Sequence, residues 1–470
     1  MNYPLIGICL YIVVQFAIGL WVARRINRET DYILAGRQLG TTLATFSVFA
    51  TWFGAETVLG SGGRVYSDGL AGAQAEPFAY GVAVVLMGFL FAAPLRRRGF
   101  TTFADLFAER YGAGVERLTV LLLIPGSILW AAAQIRGFGQ VASTAAGMDV
   151  GTGIAIGYAT VVLYTVTGGL LADVYTDFVQ GLAVIIGLVT TLVFVIIATG
   201  NPIAALAAVE PQRFLPFTPG QTPLSFIEEW TVPICGSLVA IELISRLLAC
   251  RTPQIAQRAS YWGGAAYLLF AMIPVYLGLI GKTIMPGLEE PEQFIPALAR
   301  EHLPTIGYIL FAGALISAIL STVDSALLAC SALISHNVVQ NIWRIENDRS
   351  RVWLARAGVA ALGTVAFILA MSSAGIGELV ELASAFGTAG VIVVTVFALF
   401  TRIGGAASAY ATLLIGASVW VIAGPLFFDI SAPYTTAVLM AAIGYPLIAL
   451  IEGYAQNKRR IMASMSEPDP

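Results

Sequence analysis

Long apolar runs alternate with short polar stretches along the whole chain. Many of these runs reach about 20 residues, the length that an α-helix needs to cross the hydrocarbon core of a bilayer. The runs at 40–61 and 305–340 are rich in Gly, Ser, Thr and Ala, so we expect them to depart from uniform helices. Thirteen membrane spans are predicted, at 4–23, 40–61, 71–95, 117–144, 149–167, 170–199, 226–246, 259–284, 305–340, 352–372, 377–400, 405–425 and 431–453.

Composition supports a membrane protein and argues against an enzyme. The 470 residues are 58% hydrophobic and 11% charged, whereas a soluble domain carries about 25% charged residues. The four cysteines and two histidines lack the spacing of a metal site, and no phosphate-binding loop or catalytic motif occurs. We therefore expect an all-α polytopic membrane protein that is no enzyme, with no cofactor and no nucleic-acid partner.

Basic residues indicate how the spans are oriented. If the loop after the first span is cytoplasmic and the sides alternate, nearly every Lys and Arg falls on the cytoplasmic side, as the positive-inside rule requires. The N-terminus is then outside and the C-terminus inside, and 454–470 forms a short polar tail that we expect to be disordered. The opposite side receives only Arg64, Arg213, Lys282 and Arg300.

The second span combines a glycine with a carboxylate at membrane depth. Gly54 and Glu56 lie in its middle. An interrupted helix offers free backbone carbonyls and amides to an ion or a polar solute, and a carboxylate inside the membrane is a functional-site hypothesis. The alternative is a glycine patch for helix packing, with Glu56 near the outer interface.

The ninth span is rich in hydroxyl groups. Ser321 and Ser325 are four residues apart and therefore share a helical face. Hydroxyl and carbonyl oxygens suit a small monovalent cation. Small residues also allow close packing between membrane helices, so this stretch alone leaves both interpretations open.

Together these stretches resemble the sodium:solute symporter family. The resemblance extends from Arg37 through the ninth span, with further family-like segments at 168–180 and 98–102 and at Ser245-Arg246. It implies a LeuT-like fold of two inverted five-helix repeats, at 40–199 and 226–400. An extra N-terminal helix (4–23) would precede them and two helices (405–453) would follow, within one transporter domain, 1–453.

The resemblance also implies where sodium binds. A site is expected between the first helix of repeat one and the third helix of repeat two. Asp177 matches an aspartate that some members use in a second sodium site, to which we assign Ser325 as well; Asp177 as a structural acid is an equal alternative. The ligands implied for the first site are Ala50, Phe53 and Ala318 through carbonyls and Ser321 and Thr322 through hydroxyls.

Several segments look most similar to the choline-transporter branch of the family. Trp52 and Trp130 match two positions of an aromatic cage that holds a quaternary ammonium group by cation–π attraction. The third cage tryptophan is absent, since the chain has Ala240 at about that position, and this argues against choline itself. A packing role for Trp130 is an alternative to the cage. Glu56 and Glu76 align with substrate-contacting glutamates of a sodium/sugar transporter. Glu242 and Arg246 are expected to form a helical pair.

These predictions define a sodium-coupled symporter of the inner membrane. It would import a small organic solute by alternating access, either a choline-like amine or an amino acid such as proline, with sodium and the lipid bilayer as its other partners. The alternatives are a transporter-like sensor and an uncoupled or proton-coupled carrier. The predicted solute contacts are Trp52, Gly54, Glu56, Glu76 and Trp130.

Overall fold

A computed structural model describes most of the chain and is helical throughout the described part. The described residues are 9–10, 13–14, 17, 21, 29–339, 347–373, 375–424 and 427–466. The predicted span 4–23 lies for the most part outside them. Within these ranges no strand is found, and one isolated parallel bridge joins Leu39 to Cys250. The prediction of an all-α protein is confirmed.

Eighteen helices organise the described residues, most of them apolar along their length. Ranges 56–68 and 74–98 each combine several consecutive helical segments. In chain order the helices are α1 (Glu29–Leu34), α2 (Thr41–Trp52), α3 (56–68), α4 (74–98), α5 (Asp105–Tyr111), α6 (Ala113–Ala146), α7 (Val150–Thr199), α8 (Pro202–Ala207), α9 (Pro223–Leu238), α10 (Ile241–Ala249), α11 (Pro253–Ile284), α12 (Phe294–His302), α13 (Thr305–Val339), α14 (Asp348–Ser372), α15 (Ile376–Ala385), α16 (Thr388–Phe400), α17 (Ala406–Ala423) and α18 (Pro433–Ser466).

The number of membrane spans is smaller by length and composition than the thirteen predicted. Among the described residues, eight helical stretches are long and apolar enough to cross a membrane, or ten if two bent pairs each count as one span. The difference has structural reasons. α2 has only 12 residues, α3 and α4 form one apolar stretch, and the predicted span 149–167 is the first arm of α7. The count of thirteen stays a prediction.

Four predicted spans are interrupted in the structure, one of them, 71–95, at Glu76, where φ is −116° and ψ is 116°. The chain leaves helical geometry at Phe53, between α2 and α3. The pair α9–α10 is bent by 40° at its break, and the pair α15–α16 by 42°. Only the interruption at Phe53 was expected from the sequence. Gly169, at φ 58°, bends α7 where we predicted a boundary between two spans.

The centre of the molecule is built around α13. It packs against α6, α7 and α2, and 78% of its most apolar stretch is buried, against 28% for the corresponding part of α18. Its Ser and Thr side chains therefore lie inside the helix bundle, where a hydroxyl must find a partner. The predicted sodium ligands lie on this central helix and on its neighbour α2.

The last helix continues beyond the predicted membrane span. α18 extends to Ser466, so residues 454–466, which we expected to be disordered, continue the helix. Ala, Gln, Lys, Arg and Met dominate this segment, and each of them favours helix. The polar composition from which we predicted disorder does not by itself prevent a helix from continuing.

Candidate sodium and solute sites

The break after α2 releases backbone oxygens at the centre of the bundle. Gly54 N–H, which would pair with the Ala50 carbonyl in a continuous helix, donates instead to Glu56 Oε1 at 3.3 Å. The Ala50 carbonyl is thereby free of its helical partner. A Cβ at Gly54 would lie 2.5 Å from Gln134 Oε1 and 2.7 Å from Glu56 Oε2. Only glycine fits this turn without displacing both side chains.

Thr322 joins the break to α13. Its hydroxyl donates to the Ala50 carbonyl at 3.3 Å and lies 3.1 Å from the Ala318 carbonyl. Thus three of the five predicted sodium ligands meet in one place. Oxygen atoms from two helices, with no exposed surface on Thr322, form the kind of hard-oxygen environment that small cations prefer.

The other two predicted sodium ligands lie beside this group. Ser321 is fully buried and its hydroxyl donates to Asp177. Phe53 lies at the break itself, with φ −93° and ψ 75°, and its ring packs against Phe49 and Tyr267. The structure therefore brings Ala50, Ala318 and Thr322 together, with Ser321 next to Thr322 on α13 and Phe53 at the break that ends α2.

The predicted second sodium site contains a guanidinium group. Ser325 donates to Asp173 at 3.2 Å, and Arg246 Nη2 donates to both Asp173 and Ser325. Asp177 Oδ2 accepts from Ser47 at 2.5 Å and lies 3.8 Å from Arg246 Nη2. The helical pair that we predicted between Arg246 and Glu242 is wrong, because burial draws the guanidinium inward to the aspartate of α7.

The two predicted tryptophans stack on each other. The ring centroids of Trp52 and Trp130 are 5.1 Å apart with an interplanar angle of 26°, and Tyr80 meets Trp130 edge-on at 5.9 Å. Rings this close leave no room for an ammonium group between them. A cation would contact their outer faces, or would require the rings to separate.

Glu56 and Glu76 are held by neutral hydrogen-bond donors. Glu56 accepts from Gln134, and Glu76 Oε1 accepts from Tyr267. Thr57, the residue after Glu56, donates to the Tyr267 hydroxyl at 3.2 Å, so the same tyrosine contacts the surroundings of both glutamates. Glu76 Oε2 is buried without a hydrogen-bond partner. Within the described part of the chain, neither carboxylate has a basic side chain within 4.0 Å.

Two cavities adjoin these side chains. The first, which we call the acid cavity, has an empty volume of about 530 Å³ and is lined by Glu56, Glu76, Tyr80, Arg64 and three further glutamates. The second, the tryptophan cavity, has about 390 Å³. It lies between the ends of α2 and α9, and its lining includes Trp52, Trp130, Ser237, Ala240 and Glu242.

Several polar atoms of the tryptophan cavity have no partner. They are buried and lack a hydrogen bond within the described residues, which is uncommon for polar atoms in a protein interior. A polar solute or ordered water in this cavity would satisfy them. These atoms are Trp52 Nε1, Trp130 Nε1, Ser237 Oγ and Glu242 Oε1.

Sequence reasoning missed several residues of these sites. Gln134, Tyr80 and Asp173 lie four residues from Trp130, Glu76 and Asp177 respectively. Residues four apart share a helical face, so this spacing was a usable signal. Ser237 and Tyr267 gave no such signal, since only the packing of distant helices brings them to the sites. Arg246 was noted in the sequence, but with Glu242 as its partner instead of Asp173.

A comparison with known families decides the classification. Residues 32–416 match the Sodium:solute symporter family. The chain belongs to this family. The resemblance predicted from the sequence is thereby confirmed, and membership in a family of transporters supports a role in transport instead of catalysis. It also makes sodium the coupling ion at the level of the family.

Relatives of this symporter-family chain carry different solutes. It is 27% identical over 386 residues to the high-affinity choline transporter 1 of Drosophila melanogaster, a match that covers 78% of this chain and 62% of that protein. It is 28% identical over 377 residues to the high-affinity proline transporter of Bacillus subtilis, covering 75% and 77%. The chain thus matches less than two thirds of the Drosophila relative's length.

A solved structure confirms the transporter fold. A Na⁺-coupled sialic acid symporter in a substrate-bound, outward-open state matches with a TM-score of 0.82. The match covers 96% of this chain and 97% of that chain, at 14% sequence identity. At this identity the likeness concerns the fold alone.

Proposed function

We propose that this protein is a sodium-coupled symporter that imports a small organic cation by alternating access. The observation that carries the proposal is the contact of Thr322 with the carbonyls of Ala50 and Ala318. It gathers hard oxygen ligands from a broken helix and from the central helix of the bundle. The proposed sodium ligands are Ala50, Phe53, Ala318, Ser321 and Thr322.

The proposed architecture is a LeuT-like pair of inverted repeats, 40–199 and 226–400. The position of the helix breaks supports it, because each repeat begins with an interrupted helix, at Phe53 and between α9 and α10. The helix at 4–23 would precede the repeats and the helices in 405–453 would follow. In this arrangement thirteen helices cross the inner membrane, with the N-terminus outside and the C-terminus inside.

The proposed solute carries a positive charge. Carboxylates outnumber the single basic residue, Arg64, in the lining of the acid cavity, and Glu242 contributes an unpartnered oxygen to the tryptophan cavity. A buried carboxylate without a counter-charge is costly, so a cation that enters relieves this cost. The proposed contacts are Trp52, Gly54, Glu56, Glu76 and Trp130.

A choline-like amine fits these groups better than an amino acid such as proline. Aromatic faces and carboxylates both attract a quaternary ammonium group. The carboxylate of an amino acid would meet several glutamates with only Arg64 to balance it. Proline remains the second candidate because one relative is a proline transporter.

Sodium would prepare the solute site through the broken helix. An ion bound at Ala50 and Thr322 holds the end of α2 against α13. Trp52 and Gly54 lie two and four residues after Ala50 in the chain. Trp52 lines the tryptophan cavity, and Gly54 packs against Glu56 of the acid cavity. A cation that binds one conformation better shifts the population toward it, so the sodium gradient would drive uptake.

The proposal is tested by thermal shift of the purified protein against a solute panel. Sodium or potassium is the only cation present, and the panel contains choline, proline and a neutral sugar. We expect stabilisation by the amine in sodium and none in potassium. Ser321→Ala with Thr322→Ala should remove the dependence on sodium, whereas Ser331→Ala, on the same helix but bonded to Ala355, should retain it.

Each other outcome supports a different function. Stabilisation that is indifferent to the cation contradicts sodium coupling and favours a proton-coupled or uncoupled carrier. Solute binding without accumulation in vesicles favours a sensor. Sodium dependence that survives the double substitution contradicts the proposed ligands.

A further inference from the structure

A third cavity, which we call the α17 cleft, lies between α9, α15, α17 and α18. Its empty volume is about 1010 Å³, at the upper end of the range for small-molecule pockets in proteins. Its lining includes Glu381 and Leu382 of α15 and Trp420 and Val421 of α17. Of these four residues only Glu381 also lines the acid cavity, and none lines the tryptophan cavity. The α17 cleft is therefore a separate cavity that adjoins the acid cavity.

The two walls of the α17 cleft differ in their chemistry. One wall carries three carboxylates, Glu228 of α9 and Glu378 and Glu381 of α15, and among the described residues no basic side chain lines the cleft. The other wall is apolar and aromatic, with Trp420 and Val421 of α17. A ligand in the cleft would thus meet a negative side and an apolar side.

Glu228 is already engaged in the fold. Its carboxylate accepts from the backbone N–H groups of Tyr434 at 2.6 Å and Thr435 at 2.8 Å, at the start of α18. The Thr435 hydroxyl donates to it as well, at 2.5 Å. A carboxylate in this position satisfies N–H groups that have no partner within the helix. Glu228 therefore joins α9 to α18 and fixes one wall of the cleft.

Glu381 has no such structural contact. Its side chain is exposed, and no basic side chain lies within 4.0 Å of it among the described residues. Leu382, the next residue, is 38% exposed, and Val421 on the opposite wall is 41% exposed. The cleft therefore leaves a carboxylate without a counter-charge beside uncovered apolar side chains.

This combination restricts what can fill the cleft. Lipid chains would cover the apolar wall, but they cannot balance a carboxylate in a membrane protein. A small inorganic cation would balance Glu381 and leave the apolar wall uncovered. A molecule with a positive head and an apolar chain satisfies both walls, and the indole face of Trp420 adds an attraction for an ammonium group.

The cleft lies beside the break between α15 and α16. Trp420 meets Phe386 edge-on, with ring centroids 5.8 Å apart and an interplanar angle of 77°. Phe386 directly follows α15, where the chain leaves helical geometry with ψ 113°. A ligand that packs on Trp420 would therefore contact α17 next to this break.

We propose that the α17 cleft is a second binding site, and that its ligand is an organic cation with an apolar chain. The positive head lies at Glu378 and Glu381, and the chain lies along Leu382, Trp420 and Val421. The ligand bridges α15 and α17, and its binding requires neither sodium nor the transported solute.

The test is isothermal titration of the protein in phosphatidylcholine nanodiscs with octyltrimethylammonium, after subtraction of empty nanodiscs. Potassium is the only inorganic cation, so the proposed solute site is not prepared. We expect one saturable site per chain, with an affinity that rises about fourfold for each methylene from butyl to octyl. Neutral 1-octanol should show no saturable binding, and replacing potassium by sodium should leave the affinity unchanged.

Two double variants locate the head and the chain of the probe. Glu378→Gln with Glu381→Gln should lower the affinity about tenfold, because each partly exposed ion contact contributes up to about fivefold. Leu382→Ser with Val421→Ser should flatten the dependence on chain length, because both side chains then become polar. All four residues are exposed, so we expect both variants to fold.

Two control variants separate the cleft from its surroundings. Glu76→Gln removes a carboxylate of the acid cavity that does not line the α17 cleft, and it should leave the affinity for the probe unchanged. Leu414→Ser changes a side chain of α17 that is 53% exposed and lies outside the lining, and it should behave as the wild type.

The outcomes distinguish this site from the proposed function. An equal loss of affinity in Glu76→Gln and in the double glutamine variant would place the probe in the acid cavity and overturn the second site. Saturable binding of 1-octanol with the same affinity would also overturn it, because the cleft would then be an apolar groove for lipid. Saturable binding of the cation in a protein whose solute binding ignores sodium would overturn the proposed symport alone.

Discussion

Two groups of buried charged residues flank the break between α2 and α3, and they are neutralised in different ways. Before the break, Thr51 contacts Arg246, which pairs with Asp173. After the break, Glu56 and Glu76 are held only by uncharged donors. We call them the arginine group and the glutamate group. The first contains its own counter-ion, whereas the second has no basic side chain within 4.0 Å among the described residues.

The difference separates a structural role from a binding role. A buried ion pair needs no ligand, and removing one partner leaves the other charge buried without a counter-charge. A pair of buried carboxylates needs a proton or a cation from elsewhere. The arginine group should therefore respond to substitution through stability, and the glutamate group through binding.

The largest effect is expected for Asp173→Asn. It removes the closer ion partner of the buried Arg246 guanidinium and leaves only Asp177, 3.8 Å from Nη2, as a counter-charge. Loss of a buried ion partner costs about 3–5 kcal/mol. Adding Arg246→Gln should recover much of this loss, because the unpaired charge disappears. Chemical unfolding of the purified single and double variants measures both quantities. Equal losses in the two variants would contradict the structural role of the pair.

A smaller effect is expected for Glu56→Gln and Glu76→Gln, and it should appear in binding. Each change removes one carboxylate charge, so affinity for a cationic solute should fall by about 1.5–3 kcal/mol, on the order of tenfold to a hundredfold. Stability without solute should be unchanged or higher. Titration with the amine measures the affinity, and Glu301→Gln, at an exposed position, is the control.

An affinity for the amine that survives both glutamine substitutions would remove the distinction between the two groups. In that case the carboxylates serve packing or proton binding. The tryptophan cavity would then be the place to look for the charge-sensing residue, with Glu242 as its acid.

Trp130→Leu should have a weaker effect on the same affinity. Leucine keeps an apolar surface but removes the aromatic face, and a cation–π contact contributes about 0.5–2 kcal/mol. We expect a quaternary amine to lose affinity while a neutral solute of the same shape does not. An equal loss for both would show that Trp130 acts only by packing.

The smallest effect is expected from Glu292, a partly buried carboxylate in the loop before α12. Its Oε1 accepts from Ile376 N–H at 2.7 Å, and Gln140 donates to Oε2 at 3.4 Å. Burial raises the pKa of the Glu292 carboxyl above its ordinary value. The folded protein therefore holds this proton more tightly than the unfolded chain.

The sign of the pH dependence follows from this shift. Stability from Glu292 is greatest where the carboxyl is neutral, and it falls as pH rises from about 4, the ordinary carboxyl pKa, through the raised value. Glu292→Gln keeps an acceptor for Ile376 and should flatten this fall. Thermal unfolding of both proteins as a function of pH measures it, and an identical profile would contradict the assignment.

Some parts of the site were readable from single segments of sequence. The break at Gly54 and the hydroxyl groups of Ser321 and Thr322 were predicted because each lies in one segment with an unusual composition. The break between α9 and α10 was missed, since no cluster of glycine with an acid marks it. Long-range ion pairs, such as that between Arg246 and Asp173, 73 residues apart, have no local sequence pattern that would predict them.

The sequence alone determined that the chain is a helical membrane protein of the sodium:solute symporter family. Apolar runs of membrane-spanning length and the motif segments are local properties of the sequence. They can be recognised without knowing how the helices pack. Only the tertiary structure decided which charges are paired. A buried ionised group is stable only beside a counter-charge, and that counter-charge can lie on any helix that packs against it. Arg246 therefore pairs with Asp173 of α7 and not with Glu242, four residues away on its own helix.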